Sequence, residues 1–253
     1  MYEFSSRVRY SEIGSDRKMT ITALITRLQD CCVFQLDSVG RGPEIWQREK
    51  RGWIIVSWQV KLFELPEFGS LVTARTIPYR FHGFEGDRNF EVFASPCGGE
   101  RAGTGPGAAR EGGEEPVLCA VANSRWVFYD MERQIPIRVP EEEKANIPLD
   151  PPLDMECSPR RIRLPETEPV LLEPVRVTET FIDTNYHVNN LRYIEMACAC
   201  LPEDFRWKEL RVEYLRQCRL GETICPRVYR TDDAVYAALC SQDGAACAVV
   251  MFL

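Results

Sequence analysis

Residues 22–39 constrain the fold most. Leu24, Ile25, Leu28, Cys31, Cys32, Val33, Phe34 and Leu36 leave a helix here with little polar face, so it has to be buried. Gly40 and Gly42 supply its stop. Strands follow: residues 53–65, ended by Pro66, then 71–82 and 88–94, paired through a turn at 83–87, and then 117–129. One apolar helix followed by a run of strands is an α+β pattern, in which an antiparallel sheet curves around the helix. Residues 2–10 read as a short strand before it.

The pattern then stops and restarts. Residues 135–174 hold nine prolines, an acidic run at Glu141–Glu143 and the basic residues Arg160, Arg161 and Arg163, with no sustained periodicity. This is the composition of a linker crossing the outside of one domain to begin another. After it come a strand, a turn, a helix and four more strands, at 210–215, 223–230, 235–241 and 247–253. Aligning Gly69 with Gly221 keeps the apolar alternation of residues 59–72 in step with that of residues 211–224, the mark of an internal repeat. Between the strands of the first half, residues 95–116 are Gly-rich, with Gly103, Gly105 and Gly107 but no Lys-Ser/Thr and no following apolar helix. They read as a hairpin excursion, not a phosphate loop.

The chemistry concentrates where the second unit begins. Alternation over residues 175–183 predicts a strand, and Val188, Leu191, Ile194, Cys198 and Leu201 predict a helix capped by Asn189 or Asn190 and ended before Pro202. Between them, Asp183, Asn185 and His187 bring a carboxylate, a carboxamide and an imidazole to a helix N-terminus. Acyl hydrolysis needs that combination. An Asx-rich capping turn with a structural histidine is the plain alternative. The chain has only two histidines, so a histidine base is His187 or His82. His82 stands before a Gly-containing turn and reads as structural.

The run Asp183, Asn185, His187, Val188, Asn189, Asn190 and Tyr193 resembles the active-site signature of the acyl-ACP thioesterases, which release fatty acids from acyl carrier protein in fatty acid biosynthesis. Looser similarity covers Leu28 to Asp30, Trp53, Arg88, Ser124 to Val127 and Asp130. The resemblance implies an α+β fold of two tandem hotdog domains, each a long apolar helix wrapped by a curved antiparallel sheet. Residues 1–134 would accommodate the acyl chain, residues 135–174 would link, and residues 175–253 would carry catalysis. It also implies hydrolysis by an activated water with no cofactor or metal. The carbonyl would lie near the Asn185 amide and the helix N-terminus, with His187 as base and Asp183 setting the turn or its charge.

The chain departs from the family in one place. Tyr214, Gln217 and Cys218 resemble the family's Tyr-x-x-Glu-Cys, in which the glutamate is thought to work with the histidine on water, and here that glutamate is Gln217. A carboxamide orients a water or a ring but has no useful basicity. Either His187 is the base and Gln217 positions, or Asp183 takes more of the work, or activity is weak. Cys218 as a nucleophile is a further option, although a packed thiol suits a chain with eleven cysteines better. An acyl-CoA thioesterase and a non-catalytic acyl-thioester binder are the rival functions.

A net charge of −7 argues against nucleic acid as a partner. It also means that an acidic acyl carrier protein needs a local basic patch, for which Arg206, Lys208, Arg211, Arg216 and Arg219 are candidates, unless they are simply solvent-facing residues. No membrane association is expected, and a monomer or a homodimer is open. The first residues lack the build of a secretory signal or a transit segment, and the cysteines have no C-x-x-C pair, so reduced thiols and a cytoplasmic setting are expected.

Overall fold

The computed structural model describes residues 1–95, 115–202 and 204–253, so nearly all of the Gly-rich stretch lies outside the described residues. The apolar run forms helix α1, Ile21–Ser38. Thr20 caps it, its Oγ1 accepting the Ala23 N–H at 3.2 Å. At the other end Gly40 takes φ 70°, and the Arg41 N–H reaches back to the Leu36 carbonyl at 2.8 Å. Leu24, Ile25, Leu28 and Cys31 are fully buried. The enclosure is less complete than the sequence suggests, because Asp30 and Phe34 lie on an exposed edge.

Around α1 curve β1 (Tyr2–Arg7), β2 (Arg51–Leu62), β3 (Leu71–His82), β4 (Glu85–Ser95) and β5 (Val117–Asp130). A short helix α2 (Pro43–Glu49), with Pro43 in its first turn, was not anticipated. The second unit holds helix α4 (Asn190–Cys198) and strands β8 (Val175–Arg176), β9 (Glu209–Tyr214), β10 (Thr223–Arg230), β11 (Val235–Ser241) and β12 (Ala246–Phe252). Its helix has nine residues against eighteen in α1. The strand expected over residues 175–183 is cut to two residues. The Phe181 N–H bonds the Thr178 carbonyl at 3.0 Å, closing a 3₁₀ turn over Glu179–Phe181 instead of continuing the ladder.

The two units form one antiparallel sheet. Its order runs β1, β3, β4, β5, β2, then β9, β12, β11, β10, and β2 pairs with β9 from Ser57↔Glu213 to Lys61↔Glu209. Since β8 pairs with β10 as β1 pairs with β3, the second half repeats the first in reverse about the β2–β9 seam. The tandem hotdog architecture is thus a fused pair with a shared sheet.

The repeat reaches individual hydrogen bonds. Gly69 and Gly221 both take left-handed φ, 85° and 82°. Their N–H groups donate to the Val8 and Val177 carbonyls, each at 3.1 Å. A 3₁₀ turn follows each of these valines, at Tyr10–Glu12 and Glu179–Phe181. An isolated bridge then closes each loop, Ile13↔Met19 and Ile182↔Val188.

The Pro-rich segment is docked along its length. Its β6 (Ile135–Pro136) extends β5, and its helix α3 (Glu141–Asn146) buries Glu143 completely against Arg41 and the Trp53 Nε1–H, which donates at 3.2 Å. Farther on it crosses the strands of the second unit, where the Ile162 N–H donates to Glu213 Oε2 at 3.0 Å. Finally β7 (Val170–Leu171) pairs with β10.

Candidate active site

The loop before α4 is a tight turn built on Asp183. The Asp183 N–H donates to the His187 carbonyl at 2.8 Å, and the Tyr186 N–H donates to the Asp183 carbonyl at 3.1 Å. Asp183 Oδ1 accepts the backbone N–H groups of Asn185 at 2.8 Å and His187 at 3.3 Å. This is an Asx turn. Tyr186 pays for its tightness with φ 61° and stands 82% exposed at the tip. Two struts fix the turn to the fold. The Asn189 N–H bonds the Phe181 carbonyl at 2.8 Å, and the Val188 N–H bonds the Cys218 carbonyl at 2.9 Å.

The second strut brings Gln217 to the turn, since Gln217 precedes Cys218. The four expected residues thus lie at one end of the second unit, three within the turn and one on the chain that braces it. Asn185 and Gln217 are exposed, and among the described residues neither carboxamide has a hydrogen-bond partner. His187 is half-buried, and its Nδ1 is enclosed without a partner. An orphaned buried nitrogen costs stability, which marks it as a position to explain by function. His82 lies exposed at the far end of β3.

The protonation of His187 follows from its surroundings. Burial pushes its pKa below the ordinary 6.5, Asp183 pulls it up, and the Arg219 guanidinium pushes it down again. The imidazole is therefore neutral, the form a base requires, over the whole neutral range. Replacing Arg219 with glutamine removes one of the lowering influences. The acid limb of a kcat/KM profile is then expected to move to higher pH, and an unmoved limb would separate Arg219 from His187.

The helix N-terminus is partly spent. Asn189 caps α4, its Oδ1 accepting the Leu191 N–H at 2.9 Å, and its carbonyl takes the Arg192 N–H at 2.9 Å. The open donor beside the turn is the Asn185 carboxamide. Cys218 is 1% exposed; its N–H donates to Tyr193 Oη at 3.1 Å, and its sulfur lies 2.8 Å from that of Cys247. It packs as a core residue. Sequence reasoning did not foresee the bracing by Tyr193, although Tyr193 belongs to the recognised run.

The repeat supplies a control within the molecule. In the first unit the matching loop is Gly14 to Lys18. The Gly14 N–H bonds the Lys18 carbonyl at 2.9 Å, the Arg17 N–H bonds the Gly14 carbonyl at 3.0 Å, and Arg17 takes φ 63° where Tyr186 has 61°. The Met19 N–H bonds the Pro66 carbonyl at 2.7 Å, as Val188 bonds Cys218. The same backbone therefore forms with Gly14 for Asp183, Asp16 for Asn185 and Lys18 for His187. Neither the carboxamide nor the imidazole is needed to make this turn.

Comparison with known proteins identifies the family of the chain. The family profile of the acyl-ACP thioesterase N-terminal domain matches residues 1–103, and that of the C-terminal domain matches residues 166–239. This chain belongs to the acyl-ACP thioesterase family. Among curated acyl-ACP thioesterases, a palmitoyl-acyl carrier protein thioesterase of Cuphea hookeriana is 26% identical over 229 residues, covering 83% of this chain and 50% of the relative. Its counterpart in Arabidopsis thaliana is 25% identical over 227 residues, with the same coverage of each. The chain spans about half the length of the curated relatives it matches, and both of these are named as chloroplastic. An acyl-ACP thioesterase structure from Bacteroides thetaiotaomicron superposes with TM-score 0.82 at 17% identity, covering 99% of this chain and 96% of the other. The 12:0-ACP thioesterase of Umbellularia californica gives TM-score 0.78 at 17% identity, covering 99% and 95%. These likenesses establish the tandem hotdog fold of the acyl-ACP thioesterases for this chain. Among the described residues no helix is long and apolar enough to cross a membrane.

Proposed function

We propose that this chain hydrolyses the thioester of acyl-acyl carrier protein and releases the free fatty acid for fatty acid biosynthesis. The observation that carries the reading is the difference between the two copies of one turn. The first copy has the backbone without the chemistry, and the second adds a carboxamide donor and a neutral imidazole. The thioester carbonyl oxygen is held by the Asn185 carboxamide, which stabilises the charge that develops there on attack. His187 takes a proton from the attacking water. The carbon–sulfur bond then breaks, and the protonated imidazole returns its proton to the departing thiolate. Asp183 acts through its Asx turn, fixing Asn185 and His187 and holding a negative charge near the imidazolium. Gln217 orients the water or the ring.

In this scheme residues 175–253 carry catalysis, residues 1–134 receive the acyl chain beside α1, and residues 135–174 tie the two together. A cytoplasmic setting belongs to the same proposal. Hydrolysis of matched palmitoyl groups on acyl carrier protein and on coenzyme A tests it. A kcat/KM clearly higher on the carrier protein supports the reading, and a preference for coenzyme A replaces it with an acyl-CoA thioesterase.

Gln217 favours one other reading, a binder of acyl thioesters that does not cleave them. Gln217→Glu restores the family carboxylate and is expected to raise kcat about tenfold or more, as a second basic group joins the water. If the variant cleaves and the natural chain only binds, the binder description is correct.

A further inference from the structure

Docking an acidic carrier on a chain of net charge −7 requires a local cationic surface. Of the cations downstream of α4, Arg211 is tied to the Pro159 carbonyl beneath the docked segment and Arg216 is paired with Asp243 at 2.9 Å. The docked segment adds two further exposed cations, Arg161 and Arg163. Where residues 160–164 cross the strands of the second unit, they leave a groove of about 560 Å³. Leu164, Leu215 and Val249 line it together with Arg161 and Arg163.

The charge in this groove is one-sided. Glu213 also lines it but is 3% exposed, and it is engaged by Arg160 at 3.6 Å and by the Ile162 N–H. Arg161 and Arg163 are exposed and have no carboxylate partner among the described residues. Leu215, on the groove wall, is 50% exposed. An apolar floor with a cationic rim is complementary to an amphipathic helix whose polar face is acidic. The position suits the reaction as well, since Leu215 stands two residues, at most about 7 Å of chain, from Gln217.

We propose that this groove, with Arg161 and Arg163 as its cationic rim, is the docking surface for an acidic amphipathic helix of the acyl carrier protein. The inference rests on the hydrolase reading above.

Titration of fluorescent holo acyl carrier protein tests it by fluorescence anisotropy, without any need for turnover. Arg161→Glu/Arg163→Glu is expected to weaken binding at least about tenfold. Wild-type affinity should fall as NaCl is raised. Arg48→Glu/Arg133→Glu, with the same charge change away from the groove, should leave affinity within about twofold, since isolated exposed charges act weakly at a distance. Hydrolysis of a carrier-free acyl-pantetheine should be equal in wild type and the groove variant. Equal carrier affinity in the groove variant and wild type overturns the proposal, as does equal weakening by the two double variants. Failure of wild type to hydrolyse either thioester counts against the hydrolase reading and leaves the binding comparison readable.

Discussion

Asn185→Ala is expected to lower kcat for palmitoyl-acyl carrier protein by about 10²–10³-fold, with KM little changed. Loss of one preorganised donor to a developing oxyanion costs this much, because the donor bonds the transition state more strongly than the ground state. The fold is expected to survive. The Asn185 side chain is exposed and unpartnered, and what holds the turn at this position is the backbone N–H that Asp183 accepts at 2.8 Å. Thermal unfolding should therefore shift by no more than about 3 °C. An unchanged kcat removes Asn185 from the oxyanion site; a lowered kcat with a collapsed Tm reassigns it to the turn.

His187→Ala is expected to lower single-turnover hydrolysis by about 10²–10⁴-fold, the range of a positioned general base. The residual rate should lose the acid limb that the histidine imposes. In the natural chain that limb is expected below pH 6.5, because burial and Arg219 depress the pKa. Activity is lost as pH falls through that depressed value and the imidazole takes up its proton. Stability should change little or improve. The enclosed Nδ1 has no partner, and removing an unsatisfied buried nitrogen removes a desolvation cost. A variant that keeps the natural rate and the natural acid limb would point to a different base.

Much of this was legible in the sequence because periodicity and punctuation coincide. The run from Leu24 to Leu36 fixed α1 to within a residue at each end, and β3, β10 and β11 fall on the expected residues. Alternation misled at residues 177–183, since the bond from the Phe181 N–H to the Thr178 carbonyl that closes a 3₁₀ turn there leaves no mark in a period-2 pattern. The short helix α3 was hidden because its burial rests on one charged residue, Glu143, whose partners Arg41 and Trp53 are distant in sequence.

The site divides in the same way. Asp183, Asn185 and His187 share one turn and were readable together, whereas the strut from Val188 to Cys218 that brings Gln217 to them is a tertiary contact. The Gly69–Gly221 alignment revealed the duplication. It did not reveal that Gly14 to Lys18 reproduces the candidate catalytic turn, because the two loops share backbone geometry and almost no side chains.

That correspondence supplies the most direct test, single-turnover hydrolysis of palmitoyl-acyl carrier protein by wild type, His187→Ala and Lys18→Ala side by side. Lys18 occupies the histidine's place in the first copy, and among the described residues its side chain makes only an exposed ion pair with Glu64 at 3.5 Å, worth at most about 1 kcal/mol. The expected result is cleavage by wild type and Lys18→Ala at matched rates, with His187→Ala slower by at least about a hundredfold. Equal rates for all three, or a loss on changing Lys18 with none on changing His187, would contradict the assignment of hydrolysis to the second turn.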